Sequence, residues 1–131
     1  MKILIADDDL LSRKLLYNLL SQYGECDLVI DGLEALDAYL ISLKENNPYD
    51  LVCLDIIMPK VDGVKVLKHI EDLETQMGIL PDKRVKIIMT TALAQTQIMQ
   101  NTFELGCDAY MAKPIDTAIL IEVLQRFGLI K

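Results

Sequence analysis

The sequence predicts an α/β fold: a doubly wound, five-stranded parallel sheet carrying five helices on its two faces, three layers in all. Two observations carry this. Short β-branched or aliphatic runs alternate five times with longer segments of helical period, the mark of strands joined by crossover helices. The third run, Leu51 to Asp55, is apolar until its last residue, as a central strand covered on both faces must be.

In order, the first strand spans Lys2 to Ala6. Its helix, about Leu10 to Tyr23, sets Leu11, Leu15, Leu16, Leu19 and Leu20 on one face and stops near Gly24. A second, weaker strand runs from about Cys26 to Ile30, and Asp31-Gly32 turns the chain into a helix with Leu33, Leu36, Ala38, Tyr39 and Leu40 that Asn46-Asn47-Pro48 ends. After the third strand comes a helix over about Asp62 to Leu73. A connector from Gln76 to Arg84 follows, longer than the usual few residues. The fourth strand is Val85 to Thr91 and its helix about Ala94 to Leu105. The fifth strand is Ala109 to Ala112, and the final helix runs from Asp116 to Phe127.

At 131 residues and 52% hydrophobic composition the chain suits one domain over 1–131, with no repeat or low-complexity stretch. A net charge of -7, from 13 basic and 20 acidic residues, gives no electrostatic footprint for nucleic acid or an anionic membrane. Four apolar residues, Ile3 to Ala6, precede the first acids, too few for a secretory signal, and no run is long enough to span a bilayer. Cys26, Cys53 and Cys107 are widely spaced and odd in number, which fits reduced thiols in a cytoplasmic protein.

In open parallel sheets the ligand lies outside the carboxyl ends of the strands, where the strand order reverses. Asp7 and Asp8 end the first strand, Asp55 the third, Thr91 the fourth and Lys113 the fifth. With the flavodoxin-like order 2-1-3-4-5, the first and third strands are neighbours and their three carboxylates converge. Such a cluster repels itself unless a proton or cation joins it. Mg²⁺ suits it, with Mn²⁺ as a substitute: it takes oxygen ligands, keeps waters and is held by one or two carboxylates with phosphate oxygens. A phosphoryl group beside Asp55 then calls for an ammonium and a hydroxyl, which Lys113 and Thr91 supply. Each residue also has an ordinary role. Asp7, Asp8 and Asp9 stand where aspartate caps helices, Asp55 precedes a turn, Thr91 ends a strand, and Lys113 suits a solvated surface. Their joint placement favours a site.

These segments resemble the receiver domain of two-component response regulators, of the stand-alone, chemotaxis-regulator type, over essentially the whole chain. The matched stretches are Ile3 to Asp9, Asp31 to Leu36, Leu54 to Gly63, Met89 to Ala92 and Gly106 to Pro114. The resemblance implies that Asp55 is the phosphoacceptor, that Asp8 ligates Mg²⁺ directly and Asp7 mainly through water, and that the backbone carbonyl of Ile57 completes the protein's share; Asp9 is a neighbour and not a ligand. Thr91 would hydrogen-bond a phosphoryl oxygen, Lys113 would pair with the phosphate, and Tyr110 would be the switch aromatic that turns inward as Thr91 moves. Lys113-Pro114 would be a cis peptide. The donor would be a phosphohistidine on a sensor histidine kinase or phosphotransfer protein.

Ile57 and Leu93 stand where more polar versions of the family carry other residues, and bulky apolar groups there would exclude an in-line water, so self-dephosphorylation is expected to be slow. The final helix, Ile119 to Phe127, is more apolar around its circumference than one buried face requires. The face of the last two helices and last strand is therefore the expected docking surface for a downstream target or a second copy. With Lys131 close behind that helix, output is expected through protein contacts.

Other readings compete. A haloacid-dehalogenase-type phosphatase needs a second aspartate where Ile57 stands, and a flavodoxin-like carrier would not meet its flavin phosphate with carboxylates. A binding-only receiver would keep the fold without turnover, yet all five usual site residues are present. His69 is expected on a solvated helix face, Cys53 as a small apolar core residue, and no zinc spacing occurs.

Overall fold

The computed structural model describes residues 1–92 and 106–131 of the chain. Five strands form one parallel sheet: β1 (Lys2–Ala6), β2 (Glu25–Val29), β3 (Leu51–Asp55), β4 (Lys86–Thr91) and β5 (Ala109–Ala112), in the order β2-β1-β3-β4-β5. Among the described residues four α-helices flank it: α1 (Leu10–Leu20), α2 (Gly32–Lys44), α3 (Gly63–Gln76) and α4 (Thr117–Arg126). The helix expected over 94–105, and Leu93 with it, lies outside the described residues.

The strands alternate between two cores. Leu4 and Ala6 of β1, Val52 and Leu54 of β3, and Ile87 and Met89 of β4 turn to the side where Ala35 and Tyr39 of α2 and Val66, Leu67 and Ile70 of α3 pack. Ile3, Ile5, Leu51, Cys53 and Ile88 turn to the other, against Leu16 and Leu20 of α1 and Leu120, Val123 and Leu124 of α4. Side chains alternate across a strand, so a sheet covered twice reads as unbroken apolar sequence. That is why β3 shows no polar alternation.

Each of the four described α-helices opens on an aspartate. Asp9, Asp31, Asp62 and Asp116 accept backbone N–H groups of their own first turns, filling donors that a helix start leaves open. At α2 the cap is reciprocal in kind: the Glu34 backbone donates to Asp31 Oδ1 (2.8 Å), and Glu34 Oε1 accepts from Ile30 N (2.9 Å).

The third helix runs past the expected Leu73 to Gln76, the first residue of the expected connector, because the chain leaves the helix only at Gly78, at φ 67. The connector is ordered around a short 3₁₀ turn, Pro81–Lys83, and around Glu74, whose side chain is 3% exposed and whose Oε2 accepts from Val85 N at 2.9 Å. Burial raises the Glu74 pKa, while the Val85 hydrogen bond and the Arg84 charge oppose the rise. Replacing Glu74 with Ala is expected to orphan the Val85 N–H and destabilise the fold by about 2 kcal/mol in urea unfolding. The Gln variant keeps an acceptor and should lose much less; equal losses would show that the hydrogen bond is not the cause.

The final helix departs from its expected surface. Of its large apolar residues, Leu120, Val123 and Leu124 are buried, Ile121 is half-buried, and Ile119, at 49% exposure, stands out. Phe127, Leu129 and Ile130 fold back onto the same core and absorb the surplus. No helix among the described residues is long and apolar enough to cross a membrane.

Candidate functional site

The carboxyl ends of the strands gather the expected residues. The pairing of β1 with β3 sets Ala6 beside Leu54, so the residues that follow, Asp7, Asp8 and Asp55, emerge together. One carboxylate oxygen from each lies within 4.8 Å of the others. Asp7 and Asp55 are 1% and 5% exposed, whereas Asp8 faces solvent.

Lys113 reaches the cluster from the end of β5. Its Nζ donates to Asp55 Oδ2 at 3.1 Å and lies 2.9 Å from Asp7 Oδ2. The second contact is an ion pair, and Asp7 Oδ2 has no other partner among the described residues. The other Asp7 oxygen accepts from Asp9 N (2.9 Å), and Asp55 Oδ1 from Ile57 N (3.3 Å).

Burial pushes the Asp55 carboxyl up to about 6, the neighbouring Asp7 charge adds to the rise, and Lys113 works against it. Burial also disfavours the Lys113 ammonium, but the two carboxylates outweigh that and hold its pKa above the ordinary lysine value. Two buried carboxylates thus share one ammonium, and Asp8 adds a third negative charge beside them. Both facts favour a further cation. An all-oxygen set with an open, solvated side at Asp8 fits Mg²⁺ in its donor chemistry.

The remaining expected residues fall around this centre. Thr91, 1% exposed, ends β4, and its carbonyl accepts from Lys113 N at 2.8 Å, tying the two strand ends together. Tyr110, opposite Met89 in the β4–β5 register, packs half-buried against the core shared with α2 and α3. The Lys113-Pro114 bond is cis. Asp9 turns away: its side chain accepts from the backbone N–H and hydroxyl of Ser12 at the start of α1. Capping is thus its role, while Asp7 and Asp8, which also stood at that junction, are not the cap.

Sequence reasoning missed Arg13. It is one turn inside α1, and its guanidinium donates to the Asp7 carbonyl at 2.9 Å, securing the loop behind the cluster. A lone arginine on a polar helix face carries no sequence signal for that. His69 lies on the exposed side of α3 and Cys53 is buried in β3; burial pushes the Cys53 thiol up to about 12.

Comparison with known proteins gives one consistent answer. The model of the response regulator receiver domain matches residues 3–125. The chain is 33% identical over 128 residues to hybrid signal transduction histidine kinase L of Dictyostelium discoideum, covering 97% of this chain and 7% of the kinase. It is 29% identical over 124 residues to the chemotaxis protein CheY of Treponema pallidum (strain Nichols), covering 92% of this chain and 78% of that protein. Among solved structures it is similar to a chain of the CheX–CheY–BeF3–Mg²⁺ complex of Borrelia burgdorferi, with a TM-score of 0.82 and 28% identity over all of this chain and 90% of that one.

Proposed function

Because the chain belongs to the response regulator receiver family, a phosphorelay signalling module, we propose that Asp55 is its phosphoacceptor, with Asp7, Asp8 and the Ile57 carbonyl holding Mg²⁺. The observation that carries the reading is the convergence of three carboxylates, two of which share the Lys113 ammonium.

In this reading an Asp55 oxygen attacks the phosphorus of a phosphohistidine. A new O–P bond forms, the N–P bond breaks, and its electron pair returns to the imidazole nitrogen. Mg²⁺, when bound, supplies positive charge to the transferring oxygens. Lys113 releases its carboxylate contacts and pairs with the new phosphate, Thr91 donates its hydroxyl to a phosphoryl oxygen, and Tyr110 follows the movement of Thr91 inward. Positioning and electrostatics carry the step.

The donor is a sensor histidine kinase or a phosphotransfer protein, and output passes to a downstream target or second copy through the face of the last two helices and last strand. We read 1–131 as one receiver domain, acting in the cytoplasm and needing neither nucleic acid nor membrane contact. Beside Lys113 lies a groove lined by Leu11, Leu15, Ala92, Pro114 and Ile115. Leu11 is 76% exposed there, giving the donor protein an apolar seat beside the acceptor.

Intact-protein mass after incubation with phosphoramidate tests the reading. A phosphoryl adduct that forms with Mg²⁺ and not in EDTA supports it; folded protein with no adduct in either would leave a binding-only receiver. Turnover is expected to be slow, because Ile57, 52% exposed, stands beside the acceptor as an apolar screen. Ile57→Asn, which replaces the apolar screen with a group able to hydrogen-bond an attacking water, should speed phosphate loss from the purified phosphoprotein. Unchanged decay, followed by mass, would remove Ile57 as the cause.

A further inference from the structure

The loop after Asp55 is held in shape from a direction the acidic cluster does not explain. Lys60 has φ 68, in the left-handed region that residues other than glycine seldom occupy. It is the middle residue of a three-residue turn closed by Val61 N–H on the Pro59 carbonyl at 2.8 Å. Turns of this kind with a positive central φ are rare and strained, and such strain persists only where the surroundings over-determine it.

Here the surroundings are the N-terminus of α2. Gly32 N donates to the same Pro59 carbonyl at 3.4 Å. A Cβ on Gly32 would lie 1.8 Å from the Val61 carbonyl oxygen, so only a missing side chain lets the helix start come so close. Asp31 Oδ2 lies 3.5 Å from Lys60 Nζ, while the other Asp31 oxygen caps α2. The lysine is 63% exposed, so the pair itself is weak. It adds a side-chain tether to the backbone fit at Gly32, and the two together hold Lys60 in its strained turn. At the far end of the loop, Gly63 N donates to Ile56 O at 2.7 Å. Ile57 therefore sits in a segment pinned on both sides.

We infer that Asp31, Gly32 and Lys60 form a clamp that positions the Asp55–Ile57 segment for metal binding and phosphoryl transfer. They are positioning residues: none is a ligand, and each acts through the loop. The inference rests on the receiver reading and names what sets the geometry of its site.

The decisive variant is Lys60→Gly. Glycine accepts a positive φ freely, so the substitution removes the strain and the ion pair without a new clash. Its urea midpoint should hold or rise. Meanwhile Mg²⁺ affinity, read with the metal alone from NMR shifts of the Asp8 and Ile57 amides, and phosphoryl uptake at sub-saturating Mg²⁺ should fall about tenfold, the loss usual for groups that orient metal ligands. A merely structural role would move stability and affinity down together. Asp31→Asn keeps a capping side chain and should lose less affinity; Gly32→Ala, which must displace the Val61 carbonyl, should lose more. Wild-type affinity in folded Lys60→Gly overturns the clamp whatever Gly32→Ala does. If the wild type itself binds no Mg²⁺, the reading of the site falls and the clamp falls with it, a result told apart by which protein fails.

Discussion

Asp55→Asn is expected to gain no phosphoryl mass under conditions in which the wild type gains one group, with uptake falling by about 10⁶-fold, the scale seen when a nucleophile is removed. The amide matches the carboxylate in volume and still offers an oxygen to the Ile57 N–H, but that oxygen is not a nucleophile and carries no charge for Lys113 or a cation. The fold has no strong reason to fail, because the substitution also removes one of three crowded carboxylates. The wild type should show the converse in its pH dependence. In the metal-free protein the Asp55 carboxyl titrates at about 6, and only its ionised form attacks phosphorus, so uptake at limiting Mg²⁺ should decline as pH falls through that value. Uptake by Asp55→Asn at the wild-type rate would move the acceptor role to another carboxylate of the cluster.

The sheet and the site were legible in the sequence for the same reason. A parallel sheet sends every strand end to one edge, so Asp7, Asp8, Asp55, Thr91 and Lys113 needed only a correct strand order to meet, and the observed β2-β1-β3-β4-β5 order supplies it. Position along each strand came from apolar run length, which is insensitive to an error of one residue at either end: β2 begins at Glu25 and not Cys26 without consequence. What stayed hidden depends on side-chain direction and loop conformation. Nothing in a pattern of residue types distinguishes Asp9, which caps α1, from Asp7, which turns into the sheet end. Nor does it show that Arg13 reaches back to the Asp7 carbonyl or that Lys60 holds a positive φ. Part of the apolar excess of the final helix was hidden for a related reason: the sequence does not show that the chain after it returns to cover the same core.

Lys113→Met should produce the largest change in stability and should abolish productive transfer as well. The ammonium, 14% exposed, neutralises two carboxylates at 2.9 and 3.1 Å that are themselves almost wholly buried. Methionine fills much of the same space and leaves both charges uncompensated, a situation that costs about 3 kcal/mol or more when one partner of a buried pair is removed. The loss should be fullest in EDTA at pH 8. Two changes of condition should then restore stability, and each identifies the cause. Saturating Mg²⁺ replaces the missing cation, and binding to the folded state alone adds about 2.7 kcal/mol at a hundredfold excess over Kd. Acid supplies the alternative. The folded Asp55 carboxyl already binds its proton more tightly than the ordinary value of 3.8, and without Lys113 it must do so more tightly still. The folded state then holds more protons than the unfolded chain between roughly pH 4 and 6 or above, so stability rises as pH falls through that window. The difference between variant and wild type, measured by urea unfolding at pH 8 and pH 5, should therefore shrink in acid. A variant as stable as the wild type in EDTA at pH 8 would show that the two carboxylates find other compensation; a loss indifferent to both Mg²⁺ and pH would assign it to packing around Lys113 instead of charge.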